Sequence, residues 1–219
     1  MAMLHHVQLI ARLWLPLSLA AILALAGGQN AQAAQHSILV LGDSLTAGYG
    51  LPPDEGFVPQ LQRALEAQGS KVELINAGVS GDTTAMGLAR LDWALGANPD
   101  AVIVELGAND MLQGLPVATA RANLAAILDK IRAAGLPVLL VGMKANRGLG
   151  PDYVAAYDSM FEELAKAAGA DLYPFYLDGV AMDPKLNQAD MLHPNADGVA
   201  VIVRRILPYV LRLAQKAGS

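Results

Sequence analysis

Ser37-Ile38-Leu39-Val40-Leu41-Gly42-Asp43-Ser44-Leu45 is the stretch that decides the fold. Its first half is an unbroken aliphatic run, the composition of a strand buried on both faces, and from Gly42 it turns into a glycine-bearing polar loop. The same alternation recurs down the chain. Runs at 72–75, 101–106 and 138–141 read as further buried strands, and 172–175 as a fifth. Between them, 57–68, 83–95, 116–134 and 153–168 carry apolar residues at three- and four-residue spacing, and a closing helix runs from about 195 to 214. Gly69, Pro99, Gly135 and Gly169 punctuate these segments. Strands alternating with helices require right-handed parallel crossovers, so the expected fold is α/β, a three-layer α/β/α sandwich around five parallel strands.

Composition narrows what such a chain can do. Its 219 residues are 54% hydrophobic and 16% charged, too apolar for a disordered chain and suited to one core. Part of that hydrophobicity lies in the uncharged run from Leu13 to Ala26, which follows Arg12 and leads to Ala31-Gln32-Ala33. This is the layout of a secretory leader, and we expect residues 1–33 to be a signal peptide cleaved after Ala33, leaving 34–219 as a single domain that is periplasmic or secreted. An uncleaved anchor or a buried N-terminal helix is the alternative. Arg12 is the only charged side chain in the leader, so cleavage moves the formal charge from −5 to −6. An acidic chain without a basic cluster is not built for nucleic acid, and no membrane-spanning segment is expected after cleavage. With no cysteine there are no disulfides and no thiolate metal sites.

In a parallel sheet the reactive loops follow the carboxyl ends of the strands. Here they carry Gly42-Asp43-Ser44-Leu45, then Asn76-Ala77-Gly78-Val79-Ser80-Gly81, then Gly107-Ala108-Asn109-Asp110, with Asp190-Met191-Leu192-His193-Pro194 near the end. A serine attacks a carbonyl only when a base takes its proton. After leader removal the chain has two histidines, and His36 precedes the first strand at the far end of the sheet, so His193 is the candidate base. The same scarcity argues against a catalytic zinc site, so no metal and no cofactor are expected. Asp190, three residues earlier, can orient the ring from a shared turn. Gly81, Asn109 and the Ser44 backbone N–H are candidate oxyanion donors. Each residue taken alone has a plainer reading. Ser44 suits a helix cap, Gly81 a turn, Asn109 an Asx turn, and Asp190 and His193 a polar loop ahead of a helix starting at Pro194. Nor does Gly42-x-Ser44-x-Thr46 match the G-x-S-x-G elbow.

In this order the four blocks resemble those of the SGNH hydrolases, also called GDSL esterases, over residues 37 to about 213. Within that family, Gly81-Asp82-Thr83 and Val104-Glu105-Leu106-Gly107 are most similar to the periplasmic thioesterase, lysophospholipase and arylesterase group. The resemblance implies a flavodoxin-like sandwich with a mobile oxyanion hole. It also implies Ser44 as nucleophile, Asp190 and His193 as its partners, and Ser44, Gly81 and Asn109 as oxyanion donors. The implied activity is hydrolysis of carboxylic esters and thioesters of acyl substrates; broad specificity is expected from adaptable methionine and leucine side chains near the site, and a monomer is expected. Met111, Leu112 and Leu115 are candidates for holding the acyl chain, with the loop 143–151 on the same rim; packing of these side chains onto the domain is the alternative. Asp43 and Asp82 are expected to steady the site through loop hydrogen bonds. Two rivals stay open: a carbohydrate deacetylase on the same scaffold, and a flavodoxin-like binding protein without chemistry.

Overall fold

The computed structural model describes residues 36–218; the expected leader, 1–33, lies outside the described residues. Five strands form one sheet: β1 (Ser37–Gly42), β2 (Glu73–Gly78), β3 (Ala101–Glu105), β4 (Val138–Val141) and β5 (Asp171–Tyr173). All neighbours are parallel, in the order β2-β1-β3-β4-β5. Ile38 to Leu41 and Ala101 to Val104 are fully shielded because both strands are central and both faces carry helices.

Among the described residues seven α-helices accompany the sheet: α1 (Ser44–Ala47), α2 (Phe57–Ala67), α3 (Thr84–Leu95), α4 (Ala108–Leu112), α5 (Val117–Ala133), α6 (Pro151–Ala168) and α7 (Ala196–Ala217). α2 packs with α7, whereas α5 packs between α3 and α6, which makes the outer layers of the sandwich. In α7 the buried residues Val199, Ile202, Val203, Ile206, Val210 and Leu213 recur at three and four, so one apolar stripe faces the sheet. Among the described residues no helix is long and apolar enough to cross a membrane.

Two strands differ from expectation. β2, read as buried, is an edge strand of partly exposed residues running on to Gly78, because only β1 flanks it. β5 stops at Tyr173: the Gly142 N–H still donates to the Tyr173 carbonyl, but the Gly142 carbonyl accepts from the Tyr176 N–H, one residue beyond the regular partner, so the register is lost past Pro174. The short helices α1 and α4 stand where loops are expected; each is a single turn, too brief for apolar periodicity to register.

The strand order places the site. From β1 the chain moves outward to β2, then returns across β1 to β3, so the connections leave in opposite directions at the β1/β3 boundary. A crevice opens at such a switch point, beyond the carboxyl ends of the strands. Ser44 follows β1 and Asn109 lies just after β3, one on each lip.

Candidate active site

The Asp43 carboxylate accepts from the Leu45 N–H at 3.0 Å and caps α1, which sets Ser44 as the first residue of that turn. Ser44 Oγ lies 2.9 Å from His193 Nε2, across 149 positions of sequence. His193 Nδ1 lies 2.7 Å from Asp190 Oδ2, while Asp190 Oδ1 accepts from the backbone N–H groups of Leu192 (2.9 Å) and His193 (3.0 Å). The His193 N–H foremost, then its ring and the Leu192 N–H, hold the Asp190 carboxyl at about 2 against the opposing effect of burial. An ionised carboxylate only accepts, so Nδ1 carries the proton and Nε2 is left to accept from the Ser44 hydroxyl.

The loop bearing these two residues is held from outside the pair. Gln188 donates to the carbonyls of Tyr49 (2.8 Å) and Pro194 (3.0 Å), and its backbone N–H meets the His193 carbonyl at 2.8 Å. The Tyr49 ring sits 4.8 Å from the imidazole, centroid to centroid. Asn187, buried beneath, donates to the carbonyls of Val180 and Asp183. His36 sits by Asp100 at the other end of β1, as the strand direction requires.

Gly81 has φ +90°, a conformation L side chains rarely adopt, and faces open space. The Asn109 amide nitrogen is within hydrogen-bonding distance of two acceptors, Asp43 Oδ2 at 3.1 Å and the Asp82 carbonyl at 3.0 Å. The Asn109 donor read from the sequence is therefore engaged with the protein itself. These contacts also supply partners for the two aspartates: Asp43 holds Leu45 and Asn109, and the Asp82 carboxylate takes the Arg90 Nε at 2.6 Å. Burial foremost raises the Asp43 carboxyl to about 6. Beneath it, Glu105 is fully buried and its carboxyl is pushed well up by desolvation and by Asp43, while Thr46 Oγ1 donates to it at 2.7 Å.

The crevice is a cleft of about 800 Å³ reaching from Ser44 and His193 outward. Its apolar walls include Met111, Leu112, Met143, Phe175, Leu177 and Met182, and the segment 143–147 lines it as the rim loop was expected to. Leu115 does not line it. Its backbone turns back instead, the N–H to the Asp110 carbonyl and the carbonyl to the Tyr153 hydroxyl, which holds residue 115 behind α4.

Sequence reasoning overlooked Arg90, Tyr49 and Gln188, and quoted Glu105 only within the Val104-Glu105-Leu106-Gly107 string, without a role. Glu105 had a signal, as the lone acid in an otherwise apolar strand run; the other three act through contacts between distant loops, which no local pattern displays.

A hydroxyl, an imidazole and a carboxylate in one hydrogen-bonded line at the rim of a parallel sheet is the constellation of the serine hydrolases. Comparison with known proteins narrows the class. Residues 40–201 match the GDSL-like Lipase/Acylhydrolase family. The chain is 41% identical to "Esterase TesA" of Pseudomonas aeruginosa, over 74% of this chain and 82% of that one. It is 36% identical to "Thioesterase 1/protease 1/lysophospholipase L1" of Escherichia coli, over 75% and 78% respectively. Among solved structures, a psychrotrophic esterase EstA from Pseudoalteromonas, inhibited by monoethylphosphonate, superposes with a TM-score of 0.77 at 36% identity, covering 81% of this chain and 97% of that one. The chain belongs to the GDSL-like lipase/acylhydrolase family, the SGNH hydrolases, and is an enzyme that hydrolyses ester bonds. The binding-protein alternative is thereby set aside.

Proposed function

We propose that this enzyme cleaves oxyesters and thioesters of acyl substrates, with broad specificity, through a covalent intermediate on Ser44. His193 Nε2 takes the Ser44 proton as Oγ attacks the carbonyl carbon, and Asp190 stabilises the imidazolium that results. The oxyanion accepts from the backbone N–H groups of Ser44 and Gly81 and from the Asn109 amide, which turns one N–H from its protein acceptor to the substrate while the other keeps it anchored. The imidazolium then protonates the departing alcohol or thiol. Water, deprotonated by the same histidine, attacks the acyl-serine, and collapse of the second tetrahedral intermediate frees the acid and restores Ser44.

The observation that carries this reading is the continuous line from Ser44 through His193 to Asp190, at 2.9 and 2.7 Å. The apolar cleft supports an acyl substrate, and its methionines suit chains of varied shape. The exposed surface of the cleft is mainly apolar, which disfavours the deacetylase. Thioesters enter the proposal from the Escherichia coli relative's name. Export, with cleavage after Ala33, and a monomeric state complete it; the leader's uncharged apolar run and small-x-small end support the first.

The test combines trapping with turnover. An organophosphonate should label Ser44 stoichiometrically, as read by peptide mass. Ser44→Ala should lower kcat by about 10^4-fold or more, and Asp190→Asn by a comparable order through the wrong tautomer. A Ser44→Ala protein with undiminished turnover of p-nitrophenyl esters and acyl thioesters would refute the mechanism.

A further inference from the structure

We infer that Arg90, a residue of α3 outside the substrate cleft's lining, is the positioning residue for all three oxyanion donors; the inference rests on the oxyanion reading proposed above. Its guanidinium reaches two loops at once. Nε donates to Asp82 Oδ2 at 2.6 Å, and Nη2 donates to the Gly42 carbonyl at 2.9 Å. Gly42 ends β1 two residues before Ser44, and Asp82 directly follows Gly81. The third donor is reached through the same aspartate, because the Asp82 carbonyl accepts from Asn109 at 3.0 Å. One planar cation thus joins the segments that carry the Ser44 N–H, the Gly81 N–H and the Asn109 amide.

The setting favours a fixed geometry. The ion pair is largely shielded, with 18% of the Arg90 side chain and 8% of the Asp82 side chain exposed, so water does not loosen it as it does surface pairs. The Gly42 carbonyl also accepts from the Val79 N–H at 3.0 Å, so backbone and guanidinium bind the Gly81 loop to the end of β1 at one point. Arg90 Nη1 is meanwhile buried without an acceptor among the described residues. An orphaned buried donor costs stability. Oxyanion stabilisation depends on donors fixed in place before charge develops, so a looser clamp affects the transition state more than substrate binding.

Arg90→Lys separates positioning from charge. Lysine retains the charge on a single nitrogen, which can meet Asp82 or the Gly42 carbonyl but does not reproduce the fork. Sites are counted by organophosphonate titration, so the measured kcat belongs only to folded, reactive enzyme. The expected result is a kcat per titrated site lower by about tenfold to a hundredfold, with KM within about twofold of wild type and phosphonylation slowed in parallel. In an Asn109→Ala background the same replacement should cost severalfold less than in the wild-type background, because one of the three donors it positions has gone. If Arg90→Lys yields no titratable protein, Asp82→Asn opens the clamp from its other side and carries the same expectations. A titrated kcat within about twofold of wild type, whatever the thermal midpoint does, makes Arg90 a structural tie and overturns the inference. Equal losses in both backgrounds do the same. Wild-type turnover by Asn109→Ala alone is a distinct result: it removes the oxyanion assignment, and the inference with it.

Discussion

Two aspartates of the site lean in opposite directions. Asp190 is partly exposed and accepts from two backbone N–H groups and an imidazole, so its carboxyl sits at about 2. Asp43 is buried beside other acids, so its carboxyl rises to about 6 from an ordinary 3.8. Linkage fixes the sign of each contribution. Between about pH 4 and 6 folded Asp43 holds a proton that the unfolded chain has released, so this group favours the fold increasingly as pH falls and that contribution is lost as pH rises through 6. For Asp190 the contribution is complete above the ordinary value and disappears as pH falls toward 2. Urea unfolding followed across pH should therefore show Asp43→Asn flattening the dependence between about pH 4 and 6, and leaving the steep loss below pH 4 in place. An unaltered slope between pH 4 and 6 in that variant would contradict the raised carboxyl.

Short elements seat the nucleophile. α1 is only four residues long and gains little from its own hydrogen bonds, so its position is set by what it rests on. The end of β2 is one such support: a Cβ at Gly78 would overlap the backbone of Thr46 and Ala47, which cannot yield as a side chain would. Gly78→Ala should destabilise the enzyme by about 1–3 kcal/mol in thermal unfolding and also lower kcat per titrated site, because relief of the overlap displaces the turn that begins at Ser44. Loss of stability with an unchanged titrated kcat would show that α1 adjusts without moving the nucleophile. α4 is seated similarly: buried Asp110 accepts from the Thr84 N–H at 2.7 Å and its hydroxyl at 2.6 Å, tying the turn that carries Asn109 to the start of α3.

At the scale of the whole molecule, the proposal of export predicts a mature chain. Expressed with its full leader in a Gram-negative host, the protein should appear in the periplasmic fraction with Ala34 at its N-terminus, read by intact mass; retention of residues 1–33 would favour the anchor alternative. Sequence by itself determined the class of the fold, because a buried parallel strand and an amphipathic helix each imprint a local period, and five such strands in alternation admit few topologies. It also nominated Ser44, Asp190 and His193, since a chain with so few histidines leaves little choice of base and the four blocks occur in family order, and the structure brings the three into one hydrogen-bonded line. It misjudged Leu115, whose place depends on how the chain turns after α4, and it was silent on Arg90, Gln188 and Tyr49. Only the tertiary structure decided those, along with the engaged state of the Asn109 amide. The physical reason is that periodicity and motif are properties of neighbours along the chain, whereas a guanidinium shared between two loops exists only once the sheet has brought the ends of its strands together.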